Sequence, residues 1–222
     1  DGAVTNALNM PSVSAEDAPK LRPYMQLAEQ LGGFAGQITE TGLKSATIEF
    51  EGHVASLNTR PLTAVVVQGL LSPLLDSVNM VNAPIVAKER NIEITEIIHD
   101  REGDYHTLIR LTVTTEKGTR NIAGTLFADQ KPRIVEVNGV NVEAELTPKM
   151  LFVVNDDKPG FVGTLGALLG EANINIATFH LGRAEKGENA LALVSVDQHI
   201  SDELLAEVVA LPHIMQAKLL NF

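Results

Sequence analysis

The chain has no cysteine and no tryptophan, only 2 tyrosines and 7 phenylalanines, and 17 basic against 28 acidic residues in a length of 222. Each shortage excludes something. Without cysteine there is no disulfide, no thiolate nucleophile and no Cys-ligated zinc or iron–sulfur centre. The same lack suits a reducing compartment, and a cytoplasmic protein is expected. A formal net charge of −11 argues against a nucleic-acid surface or an anionic membrane as partner, since both need clustered Lys and Arg. The acidity is shared by both halves of the sequence and reads as solvation. No apolar run approaches the roughly 20 residues of a membrane helix; the longest, Thr63 to Leu75, is broken by Gln68, Gly69, Ser72 and Pro73. The opening Asp1-Gly2-Ala3 carries no basic or apolar leader, so no signal peptide is expected.

What is present is a hydrophobic period that changes along the chain. Ser14-Ala15-Glu16-Asp17 resembles a helix start, and Leu21, Tyr24, Met25, Ala28 and Leu31 recur at helical spacing until Gly32-Gly33 closes the pattern. Leu43 to Glu51 alternates as a strand, Arg60 to Leu75 reads as a well-covered helix, and Asn82-Ala83-Pro84 opens a short one with the amide as cap. From Ile92 the period is two: Ile92–Ile97, Tyr105–Thr115 and Thr119–Phe127 read as strands of an antiparallel set, the last two joined by Glu116-Lys117-Gly118. Asn138-Gly139 turns the chain between Arg133–Val137 and Val140–Leu146, because that pair accommodates two positive φ values.

Thr147-Pro148-Lys149 is a polar hinge, after which the pattern restarts. Strands at Met150–Val154, Asn175–His180, Leu191–Val196 and Ile214–Leu220 alternate with helices at Phe161–Ala172 and Ser201–Ala210, with a turn at Glu185–Glu188. The order β-α-β-β-α-β is ferredoxin-like. The expected fold class is therefore α+β: helices on a mostly antiparallel sheet over 1–148, then a ferredoxin-like domain over 149–222.

Few residues carry chemistry. Between a strand and a helix lies Asn155-Asp156-Asp157-Lys158-Pro159-Gly160. Pro159 fixes φ at the helix entrance, Gly160 bares the backbone, and Asp157 is placed to cap the helix. The free N–H groups there attract a carboxylate and Asp157 an ammonium, which suits a zwitterionic amino acid. An ordinary capped turn uses the same residues. Gly163, Gly166 and Gly170 lie on one helical face smooth enough to pack on a sheet or a partner helix. No G-x-G occurs anywhere, so no dinucleotide fingerprint is present. The six histidines, at 53, 99, 106, 180, 199 and 213, have no metal-ligand spacing. His99-Asp100 lacks a nucleophile beside it, so no catalytic and no metal residue is assigned. Lys88 and Arg133 are candidates for binding a phosphate or another substrate anion, with solvated surface as the alternative.

Several stretches resemble one family. Val81 to Arg90, Arg133 to Gly139, Gly170 to Ala177, Asn6 to Met10 and Leu21 to Tyr24 are similar, in order, to the C-terminal half of D-3-phosphoglycerate dehydrogenase. The resemblance implies an intervening, allosteric substrate-binding-like domain followed by an ACT domain. It further implies that a catalytic part with NAD lies upstream in a parent enzyme of serine biosynthesis, this chain needing no cofactor itself. By motif, L-serine or a similar small amino acid would meet Asn155, Asp157, Pro159, Gly160 and Asn175, between copies of a homo-oligomer; the Leu219-Leu220 strand and the Gly163 face are candidate partner surfaces. Arg133 alone sits where the intervening domain of some relatives has an anion-binding base; Glu145 stands at another such position. Two other functions compete: the small chain of an iron–sulfur L-serine dehydratase, for which a Ser-Ser-His-Thr stretch is missing, and an oligomerisation module without ligand.

Overall fold

In the computed structural model, residues 18–99, 103–127, 130–183 and 189–222 are described. The expected cap at Ser14–Asp17, the turn at Glu185–Glu188 and Asp100 lie outside them. Contacts divide the chain into two compact units, up to Asn138 and from Gly139 on. The division falls at the Asn138-Gly139 turn, whose φ values are 51° and 78°, upstream of the expected hinge around Pro148.

In the first unit, helix α1 (Ala18–Gln37) precedes strand β1 (Leu43–Gly52). Helices α2 (Arg60–Leu71) and α3 (Ala83–Glu89) then lead to β2 (Glu93–His99), β3 (Thr107–Thr115), β4 (Gly118–Leu126) and β5 (Pro132–Val137). The strands lie in the order β2-β1-β3-β4-β5. Strict alternation makes one face apolar: Ala46, Ile48 and Phe50 on β1 stand beside Val113, Leu111 and Ile109 on β3. That face is covered by α1, which lies against β3, β4 and β5 and packs closely on α2.

Three expectations fail here. Helix α1 does not stop at Gly32-Gly33 but runs to Gln37. Gly32, Gly36 and Gly69 sit where α1 and α2 touch backbone to backbone: a methyl on Gly32 would run into the Val66 carbonyl, and one on Gly69 would lie 2.8 Å from the Glu29 carbonyl oxygen. Close packing against α2 outweighs the weak helix propensity of glycine. Strand β2 is parallel, not antiparallel, to β1, because α2 and α3 carry the chain back before it starts. Finally, Asn82 does not cap α3. Its side chain accepts from the Asn79 backbone at 2.8 Å and donates to the Ser77 carbonyl at 2.9 Å, tying up the preceding loop instead.

The uncovered face of this sheet is polar and laced by charge. His99 Nε2 lies 2.9 Å from Glu49 Oε2, and Arg110 donates to Glu136 at 2.6 Å. Arg110 is held above its usual range chiefly by that hydrogen bond, with Glu49 and Glu51 adding attraction.

In the second unit, β6 (Val140–Ala144) is followed by β7 (Lys149–Asp156), α4 (Phe161–Glu171), β8 (Ile176–Arg183), β9 (Asn189–Val196), α5 (Asp202–Val209) and β10 (Ile214–Asn221). From β7 on, the sheet order is β10-β7-β9-β8 with every pair antiparallel, which is the ferredoxin-like arrangement expected. Its core joins Leu151 and Val153 of β7, Phe161, Leu165 and Leu169 of α4, Ala192 and Val194 of β9, and Val208 of α5. In the same unit, the Asn141 carbonyl of β6 leaves no room for a side chain at Gly182 of β8.

Candidate functional site

The loop between β7 and α4 is built from the core outward. Leu151 and Val153 point inward, and strand alternation sends Asn155 the same way. Asn155 is only 2% exposed. Its Nδ2 donates to the neighbouring Asp156 carbonyl at 3.0 Å, whereas its Oδ1 is buried with no hydrogen-bond partner. An apolar residue would cost nothing there, and an unsatisfied amide oxygen does. Binding sites carry such a cost.

The residue at the cap position of α4 is not Asp157. The cap position is held by Gly160 at φ 103°; only a residue without Cβ takes that backbone readily. The Asp157 carboxylate accepts from Arg183 at the end of β8, Nη1 to Oδ2 at 3.1 Å. Beside it, Asp156 lies 3.8 Å from both the Lys158 ammonium and His213 Nδ1. Arg183 was not among the residues the loop pattern suggested. The available signal was its type: it is the only arginine after Arg133.

Asn175 is elsewhere. Its amide donates to Asp197 Oδ2 at 2.6 Å, and its backbone N–H donates to Gln198 Oε1 at 2.6 Å. In the pairing along β9, Asp156 stands beside Asn189 while Ile176 stands beside Val196. At about 3.3 Å per residue, that separates Asn175 from the Asp157 loop by about 23 Å. One chain therefore does not bring Asn175 to Asn155 and Asp157. The reason is topological: α4 returns the chain, so β8 begins at the far end of the sheet and reaches the loop only at Arg183.

Between the two ends runs the α4 face of Gly163, Gly166 and Gly170. An added Cβ meets nothing within 4 Å at any of the three. The face does not pack on its own sheet, which was one of the two expected uses. Leu220 is buried within the unit and Leu219 only partly.

The two anion candidates of the first unit stand apart as well. Lys88 borders an open hollow of about 450 Å³ with Pro84, Asn91, Ile92, Glu93 and Ile94, next to β2. Arg133 is on β5, four sheet spacings or about 19 Å from β2. Its guanidinium lies 5.5 Å from the centre of the Phe127 ring and donates to the Pro132 carbonyl at 3.0 Å. They do not converge on one anion. His99 is paired with Glu49.

Comparison with known proteins decides the family. The sequence pattern of the D-3-phosphoglycerate dehydrogenase intervening domain matches residues 20–138. The chain belongs to that family. An ACT domain matches residues 149–213. D-3-phosphoglycerate dehydrogenase of Bacillus subtilis (strain 168) is 35% identical over 98% of this chain and 42% of its own length. The Methanocaldococcus jannaschii protein of that name is 33% identical over 97% of this chain and 41% of its own length, and the Synechocystis one 35% over 96% and 39%. The chain thus spans about two fifths of the length of these relatives. The intervening domain is the helix-covered sheet of the first unit, and the ACT domain is the ferredoxin-like sheet. Among the described residues, no helix is long and apolar enough to cross a membrane.

Proposed function

We propose that this chain is the C-terminal regulatory part of an NAD-dependent D-3-phosphoglycerate dehydrogenase of serine biosynthesis, acting in the cytoplasm. Its ACT domain binds L-serine, or a similar small amino acid, between two copies and passes that binding to upstream catalytic domains. The observation that carries this reading is the pair of half-sites at opposite ends of α4, with an unfilled glycine face between them. A two-fold axis through the middle of such a face sets each end against the other end of its copy. Asn155 and Asp157 of one chain then meet Asn175 of the second, and two equivalent sites form. Glycines let the two helices approach closely, as small residues do wherever backbones meet.

Asp157 supplies charge for the ammonium, and Asn155 Oδ1 gains the partner it lacks. A ligand bound across two copies has different affinity for apposed and separated arrangements, and that difference is the thermodynamic requirement for regulation. NAD does not fit the residues described: there is no G-x-G in the sequence, and neither sheet is doubly wound and parallel. The cofactor belongs to the upstream part. Calorimetric titration with L-serine, combined with sedimentation at several protein concentrations, tests the reading. Saturable binding that strengthens with self-association is expected; no heat at millimolar serine would overturn it.

A further inference from the structure

We propose that Arg183 is the second pole of the effector site: its ion pair with Asp157 opens to a zwitterion, which places its ammonium on Asp157 and its carboxylate on Arg183. This rests on the effector reading above and names the ligand class that reading requires.

The two side chains sit on separate elements, Asp157 just after β7 and Arg183 at the end of β8, with Nη1 and Oδ2 3.1 Å apart. The backbone is fixed at this end of β8, because Gly182 is pressed against Asn141. The guanidinium itself is loose, with the Arg183 side chain 57% exposed against 24% for Asp157. A pair so open to water holds a fold weakly, so it opens readily. It does hold a cation on the Asp157 carboxylate while no ligand is bound.

The pair also selects. A simple amine could displace Arg183 from Asp157, but it would leave the guanidinium without an anion. A simple carboxylate could take Arg183, but it would strip that cation from Asp157 beside Asp156, where like charges repel. An α-amino acid carries both charges on one carbon. It replaces one intramolecular pair by two, and the planar guanidinium offers its carboxylate a two-pronged contact. Lys158 does not offer that contact, being a point charge already near Asp156 at 3.8 Å.

The experiment is calorimetric titration of the 222-residue chain and two variants with three probes: L-serine, ethanolamine, which lacks the carboxylate, and 3-hydroxypropanoate, which lacks the ammonium. The wild-type chain is expected to bind serine at least about tenfold more tightly than either of the others. Arg183→Gln should weaken serine about tenfold and strengthen ethanolamine, reversing or erasing the preference. Asp157→Asn should do the mirror image, with a gain for 3-hydroxypropanoate. A shift in preference between probes is something a merely structural role would not produce, and thermal melts confirm that both variants fold. Serine affinity within twofold of wild type in Arg183→Gln overturns the proposal, and so does a uniform loss for all three probes. If the wild-type chain binds no serine, the effector reading falls and takes this proposal with it.

Discussion

Both units contain a helix with glycines three or four residues apart, and the two helices use them in opposite ways. In the intervening domain, Gly32 and Gly36 of α1 meet Gly69 and the backbone of α2, with no space for a side chain. In the ACT domain, Gly163, Gly166 and Gly170 of α4 meet nothing. The sequence pattern is the same, and only the neighbour differs. Glycine spacing therefore marks a helix able to come close to something, while the fold decides whether that something lies in the same chain. In the first unit the close approach is made within the chain; in the second, nothing among the described residues fills it.

The comparison breaks most visibly at Gly69. Gly69→Ala should destabilise the first unit by about 3 kcal/mol, since backbone on both sides of the crossing must move. Both tyrosines, Tyr24 and Tyr105, lie in that unit, so urea unfolding followed by tyrosine near-UV dichroism should show the loss. An unchanged midpoint would mean that the α1–α2 crossing is looser than described. Asn155→Leu tests the opposite sign in the ACT domain. Relieving the buried, unpartnered Oδ1 should raise the stability of that unit by about 1 kcal/mol while abolishing serine binding. Hydrogen exchange of the β7 amides, paired with calorimetry, would check both halves of the claim.

Gly166→Ala should raise ACT stability by about 0.5–1 kcal/mol in the separated chain, because alanine favours the helix and meets no clash. The same change should weaken self-association in sedimentation. If association is untouched, the open glycine face is not the contact between copies. At the other helix of that domain, Ser201 caps α5 by accepting from the Leu204 N–H at 3.3 Å. Its hydroxyl also lowers the Glu203 pKa, so Ser201→Ala should cost about 0.5–1 kcal/mol.

The smallest effect is set by pH and belongs to the first unit alone. Burial raises the Tyr24 pKa, against a hydrogen bond with Thr107 that lowers it. The raised value favours the neutral phenol in the folded state. Its contribution is complete below the unfolded value of about 10 and is lost as pH rises toward the folded one. Tyr24→Phe should flatten the fall of first-unit stability above pH 10, measured as urea midpoints against pH.

Much of this molecule was legible in its residues. Alternation in Ala46-Thr47-Ile48-Glu49-Phe50 fixes which side of β1 faces a core. Asn138-Gly139 specifies a turn with two positive φ values. The restart after Pro148 announces a second β-α-β-β-α-β unit, and the resemblance to one dehydrogenase family follows from ordinary sequence likeness. The candidate loop from Asn155 to Gly160 was legible too, because strand, proline and glycine must fall at those places for a strand to turn into a helix there. These features are local, and local steric and hydrophobic rules determine them.

What depends on partners distant in the chain was not legible. Nothing around Gly32-Gly33 reveals that α2 lies there to carry the helix onward to Gln37. Nothing near Asp157 announces that its carboxylate meets Arg183. The family resemblance assigned the loop and Asn175 to one ligand, yet the return of the chain through α4 puts them at opposite ends of a sheet. By itself the sequence determined the elements, the two-unit order and the residue types at each end of α4. Only the tertiary structure decided which helix faces were filled and which charges met, because a contact is set by where two elements pack, not by the residues of either one alone.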